Sequence, residues 1–151
     1  RLTHSDLRAL TGAKAVAYLT AWIIRNRLFG EACLEDLLTF LHRAGNGDDE
    51  WNTTIQSIAA AHHQSLFVGQ FAQSLGLSDG VTGYVYHTVP VAIYAWYRHF
   101  GCLEDTVSPV LDCGGDTDTV GAIAGALAGA VVGEQGISGD LLYGIHDWPG
   151  E

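Results

Sequence analysis

The chain has 151 residues, of which 48% are hydrophobic and 16% charged, with a formal net charge of −10 and a pI near 4.9. That balance belongs to one packed globular domain, or to part of one, and not to a disordered chain. The acidic field excludes a protein that grips a nucleic-acid backbone or an anionic membrane through its overall charge.

From Ser5, read as an N-cap, apolar residues keep helical spacing through Leu28 until Gly30 interrupts them. "CLEDLLTFLHRAG" predicts a second helix ending near Gly45, and the polar "GNGDDEWN" predicts a solvated loop. Asn52 or Thr53 is expected to cap a third helix, "TIQSIAAAHHQS", which "LFVGQFAQSLG" continues or follows with a fourth. The stretch "LSDGVTGYVYHTVP" reads as irregular, with "GYVYHTV" the only strand-like run and too isolated to build a sheet. Thr88 is then expected to cap a helix with Pro90 in its first turn. A short helix near Leu103 to Leu111 leads into "LDCGGDTDTVGAIAGALAGAVVG", and "SGDLLYGI" adds a final turn or two. The fold class is therefore all-α.

The opening "RLTHSDLRAL" lacks the long apolar core of a signal peptide, and no membrane span is expected, because the most apolar run, Thr119 to Gly133, is shorter than the roughly 20 residues a span requires. The three cysteines, Cys33, Cys102 and Cys113, are odd in number and widely spaced, which fits no disulfide framework or zinc knuckle. A reducing, cytoplasmic setting is expected. The chain contains no Met and opens directly into helix-like sequence, so it reads as a piece of a longer protein.

The chemistry concentrates at Gly114 to Thr119. Two glycines allow a sharp bend before Asp116, Thr117, Asp118 and Thr119. At a helix head these carboxylates serve as caps favoured by the dipole, or as hard oxygen donors for Mg²⁺ or a similar ion; spacing alone leaves both readings open. Behind them Gly121, Gly125, Gly129 and Gly133 form one stripe on a helix, read as close backbone packing. A calcium loop starting at Asp116 fails, because Leu127 stands where the bidentate Glu belongs. "DTDTV" also matches the nucleophile motif of haloacid-dehalogenase-type phosphatases, a reading that requires a preceding apolar strand and a parallel sheet. His62 and His63, adjacent on one helix, do not face one ion. Tyr94, Trp96 and Tyr97 read as core packing, Cys113 as a small buried residue, and His87 borders the same region without an assigned role.

Taken with "LTH" at Leu2 to His4 and "GVTGYVYHTVPVAIYAW", the segment "GGDTDTVGAIAGALAGAVVG" and the following "GISGDLL" resemble the ADP-ribosylglycohydrolases of the dinitrogenase-reductase activating type, in order and over essentially the whole chain. The resemblance implies an orthogonal multi-helix domain whose cleft holds ADP-ribose and two Mg²⁺ ions, with Mn²⁺ as substitute. It implies metal ligation by Asp116, Asp118 and Thr119, with Asp116 and Asp118 also catalytic. His4 would lie near the substrate phosphates, and Gly83 and Tyr84 would line the nucleoside side. The implied reaction is hydrolysis of the glycosidic bond between ADP-ribose and a modified protein side chain or related conjugate. The family's N-terminal half, with its "TDD" metal motif, is absent from this sequence, so residues 1–151 correspond to the C-terminal portion of such a domain. That missing half is the expected partner, and the chain alone is expected to be inactive. The alternative is a non-catalytic ADP-ribose-binding or structural, crystallin-like protein on the same scaffold.

Overall fold

The computed structural model describes residues 5–26 and 33–144. Among them are eight α-helices and no strand: α1 (Leu7–Asn26), α2 (Leu34–Gly45), α3 (Asp49–His63), α4 (Val68–Ser74), α5 (Val85–Arg98), α6 (Leu103–Asp112), α7 (Thr117–Val132) and α8 (Gly139–Tyr143), with a 3₁₀ turn at Glu134–Gly136. The all-α expectation holds. The phosphatase alternative fails, because the described residues contain no parallel sheet for its motif to follow, only an isolated bridge between Val81 and Gly115. No described helix is long and apolar enough to cross a membrane.

Helix α5 is the centre of the core. From Thr88 to Trp96 every residue is buried, and helices α1, α3, α4, α6 and α7 pack around it. Tyr94 and Trp96 are core residues, and the Tyr94 hydroxyl donates to the Leu66 carbonyl at 2.6 Å, which satisfies the one polar atom its burial would strand. Tyr97 is only partly buried against the same core.

Three boundaries differ from the sequence reading. Helix α5 starts at Val85, so Thr88 is not its cap and Pro90 lies in the helix interior; "VYHTV" is helical, and the Thr88 hydroxyl turns back toward the Val85 carbonyl at 3.4 Å. Aromatic and β-branched residues, which favour strands in isolation, are here overruled by the burial of Tyr86, Thr88 and Val89 on a helix. Helix α3 begins at Asp49 with Asp48 as its cap, four residues before the earliest expected cap at Asn52. The driving contact is Trp51, fully buried, whose indole N–H donates to the Leu41 carbonyl at 2.7 Å. Helix α1 takes its N-terminal bond from Asp6, not Ser5: the Asp6 carboxylate accepts the Arg8 backbone N–H at 2.9 Å.

The glycine stripe read for α7 packs only over its first half, and its last member, Gly133, lies past the helix end. A Cβ on Gly121 would stand 3.1 Å from Leu111 and one on Gly125 3.7 Å from Val107, both side chains of α6, whereas Gly129 has open space around it.

Candidate active site

The sequence raises one local question: why Gly114 and Gly115 precede the carboxylates. They let the turn before α7 lie against a second chain segment. The Val81 N–H donates to the Gly114 carbonyl at 3.0 Å, and the Asp116 N–H donates to the Val81 carbonyl at 2.7 Å. Gly115 adopts a φ of 80°, and a Cβ there would overlap the Val81 backbone. Gly80, at a φ of 116°, is its counterpart, since a Cβ on it would come within 2.7 Å of the Gly115 nitrogen. Only glycine fits either side of this backbone-to-backbone seam.

The seam carries Gly83 to Asp116. A Cβ on Gly83 would stand 3.1 Å from Asp116 Oδ2, so the missing side chain leaves room over that carboxylate. Asp116 occupies the N-cap position of α7, yet its side chain makes no capping hydrogen bond. Asp118, in the first turn, lies within hydrogen-bond reach of Asp116. That contact first, and the backbone N–H groups of Thr119 and of Asp118 itself next, hold the Asp118 carboxyl below the ordinary range. Asp118 and Thr119 are exposed and Asp116 is half-buried.

Tyr84, the N-cap residue of α5, is held on several sides. Its hydroxyl donates to Glu50 Oε1 at 2.6 Å, and its backbone N–H donates to Thr82 Oγ1 at 3.2 Å. Its ring meets the edge of His87 with centroids 5.0 Å apart, while His87 Nδ1 is itself 2.8 Å from Thr82 Oγ1. Desolvation first, and then the bond to Glu50, push the Tyr84 phenol up to about 12. The Tyr84 bond in turn lowers the Glu50 carboxyl, with the Arg8 guanidinium, 3.0 Å away through Nε, adding to the effect.

The structure therefore brings Gly83, Asp116 and Asp118 together, with Thr119 in the same helical turn and Tyr84 next to Gly83. His4 lies outside the described residues. Sequence reasoning assigned no role to Glu50 or Arg8 and read Gly45 to Glu50 as a solvated loop; Glu50 is indeed exposed, but the segment is already a helix head with specific partners. In fact Asp48 accepts the Trp51 N–H at 2.8 Å and the Tyr86 hydroxyl at 3.0 Å, and Glu50 accepts the Tyr84 hydroxyl. The acidic run after Gly47, directly before an aromatic, was the available signal of a helix head.

For a divalent ion, the donor set is two exposed or half-exposed carboxylates and a hydroxyl. Mg²⁺ takes one or two protein carboxylates and completes its octahedron with water or substrate oxygens, so these residues fit one face of such an ion. Among the described residues no group of three or more His, Cys, Asp or Glu side chains is placed to hold a metal.

A separate cleft of about 380 Å³ opens between α4 and α6, lined by residues that include Phe67, His99, Asp105, Asp112 and Cys113. None of the predicted site residues lines it. Burial lowers the His99 imidazole and raises the Cys113 thiol, which donates to the Pro109 carbonyl at 3.2 Å; Cys113 is thus the inert, partly buried thiol expected of it.

Known proteins agree with the motif reading. Over 58 residues the chain is 38% identical to ADP-ribosylhydrolase ARH3 of Gallus gallus, a match covering 32% of this chain and 16% of that protein. Over 107 residues it is 28% identical to ADP-ribosylarginine hydrolase Tri1 of Pseudomonas putida (strain GB-1), covering 70% of this chain and 29% of that protein. The matches thus span less than a third of either relative's length. No solved structure matches significantly. The sequence model of the ADP-ribosylglycohydrolase family matches residues 1–150, so the chain belongs to that family.

Proposed function

We propose that this chain supplies part of the active site of a hydrolase that cleaves ADP-ribose from a modified protein side chain or related conjugate. The observation that carries the reading is Asp116. It stands at a helix head, where a carboxylate ordinarily caps, and instead leaves its side chain uncapped beside Asp118 and the open space over Gly83.

In this reading Asp116, Asp118 and Thr119 hold Mg²⁺, with Mn²⁺ as substitute, and a second ion shares the site. Metal held there would supply Lewis-acid polarisation of ribose hydroxyls and of a water. The chain's own contributions are positional and electrostatic. A glycosidic bond breaks through an oxocarbenium-like transition state, and the negative charge of Asp116 and Asp118 favours the positive charge that develops on the sugar. Gly83 admits the substrate close to Asp116. Tyr84 offers an aromatic ring on the nucleoside side, and His4 serves the phosphates.

Two carboxylates and a hydroxyl form a partial donor set, so the remaining ligands come from an N-terminal half of the domain. The chain alone is then expected to be inactive. The test is release of ADP-ribose from mono-ADP-ribosylated protein, with Mg²⁺ and then with chelator, by this polypeptide with and without that half supplied. Metal-dependent release only with both parts supports the reading. Release by the chain alone refutes the shared site. Tight ADP-ribose binding by the combined protein without release supports the non-catalytic alternative on the same scaffold.

A further inference from the structure

We propose that Glu50 is a positioning residue of this site: braced by Arg8, it holds the Tyr84 hydroxyl and thereby sets the loop Thr82–Tyr84 against Asp116. The inference deepens the functional reading above and rests on it for the identity of the ligand.

Three helix heads converge on this one carboxylate. Arg8 lies in the first turn of α1, Glu50 in the first turn of α3, and Tyr84 at the cap of α5. The Glu50 oxygens are divided between them, Oε2 to Arg8 Nε at 3.0 Å and Oε1 to the Tyr84 hydroxyl at 2.6 Å. The second is short, in the range of a charge-assisted bond. Both members of the ion pair are about half exposed, so solvent screens the pair and it adds little to stability. Its evident effect is geometric.

Nothing else described takes over the Tyr84 hydroxyl. The neighbouring carboxylate, Asp48, is committed to the Trp51 N–H and the Tyr86 hydroxyl. The link onward is short. Tyr84 N–H and His87 both bond Thr82 Oγ1, which closes a tight loop around Gly83, and Gly83 is the residue facing Asp116 Oδ2. A shift of the Tyr84 ring therefore moves the backbone that borders the carboxylate. Glu50 acts on the site through Tyr84 and does not itself approach Asp116.

Amide and tyrosine-ring NMR spectra of the 151-residue chain test this directly. In Glu50→Ala the amides of Gly83 and Asp116 are expected to shift, and Tyr84→Phe should reproduce those shifts. Glu50→Gln keeps an oxygen for the phenol but loses the charge that holds Arg8, so it should return Gly83 and Asp116 only part of the way toward their native positions. Shifts confined to Arg8, Glu50 and the Tyr84 ring, with Gly83 and Asp116 unmoved, overturn the proposal. A parallel titration with ADP-ribose separates the two hypotheses. If, with the N-terminal half supplied, it leaves residues 82–84 and 116–119 unmoved, the ligand reading fails, while the variant spectra still decide the role of Glu50. Where ADP-ribose binds, Glu50→Ala is expected to weaken it about tenfold, the loss of roughly one well-placed hydrogen bond, and Glu50→Gln much less.

Discussion

Asp48 and Asp116 each stand at the cap position of a helix, and the two are used in opposite ways. Asp48 closes the head of α3: its carboxylate accepts the Trp51 N–H and a tyrosine hydroxyl, and these hydrogen bonds hold its pKa below the ordinary value. Asp116 heads α7 without capping it, and its oxygen points to the space over Gly83. The same residue in the same local position is structural in one case and left available in the other. The difference lies in the loops. Asp48 follows a turn that belongs to its own hairpin of helices, whereas Asp116 is held by the seam between Gly80–Val81 and Gly114–Gly115, which fixes its backbone through Val81 and frees its side chain.

The largest expected effect comes from breaking that seam. Gly115→Ala places a Cβ on the Val81 backbone at a φ of 80° and is expected to cost about 3 kcal/mol or more, read as a drop in the urea midpoint. A loss under about 1 kcal/mol would mean the seam is not what holds Asp116.

Asp48→Ala removes a satisfied cap and is expected to cost about 1–2 kcal/mol at neutral pH. Because the folded-state pKa of Asp48 is lowered from 3.8, its contribution is fully present above that value and fades as the pH falls through the lowered one. The gap between wild type and variant should therefore stay constant at neutral pH and narrow only in acid.

Toward the C-terminal end of α7, Gly129→Ala meets open space and should stabilise by up to about 1 kcal/mol through helix propensity. Gly121→Ala, crowded by Leu111, should gain less. Equal gains in thermal denaturation would remove the packing role of the stripe.

The smallest stability change is expected at Asp116→Ala, within about 0.5 kcal/mol. A cost equal to that of Asp48→Ala would show that Asp116 is a cap after all. The same variant should lose any Mg²⁺-dependent rise in melting temperature that the native chain, joined to its N-terminal half, displays.

Local sequence carried the motif at Gly114 to Thr119 and the helices whose apolar spacing is regular, because caps, dipoles and backbone freedom act within a turn or two. It misplaced the starts of α3 and α5 for one shared reason. Trp51 and the run from Val85 to Val89 look like loop or strand residues until the core that buries them is present.

By itself, the sequence determined that the chain is helical, acidic and a member of a family recognisable from "GGDTDT". Only the tertiary structure decided which glycines meet, that Gly83 and not a side chain faces Asp116, and that Glu50 reaches Tyr84 from 34 residues away and Arg8 from 42. Contacts across that much chain leave no periodicity behind them; they exist only once the helix heads have been brought to the same end of the core.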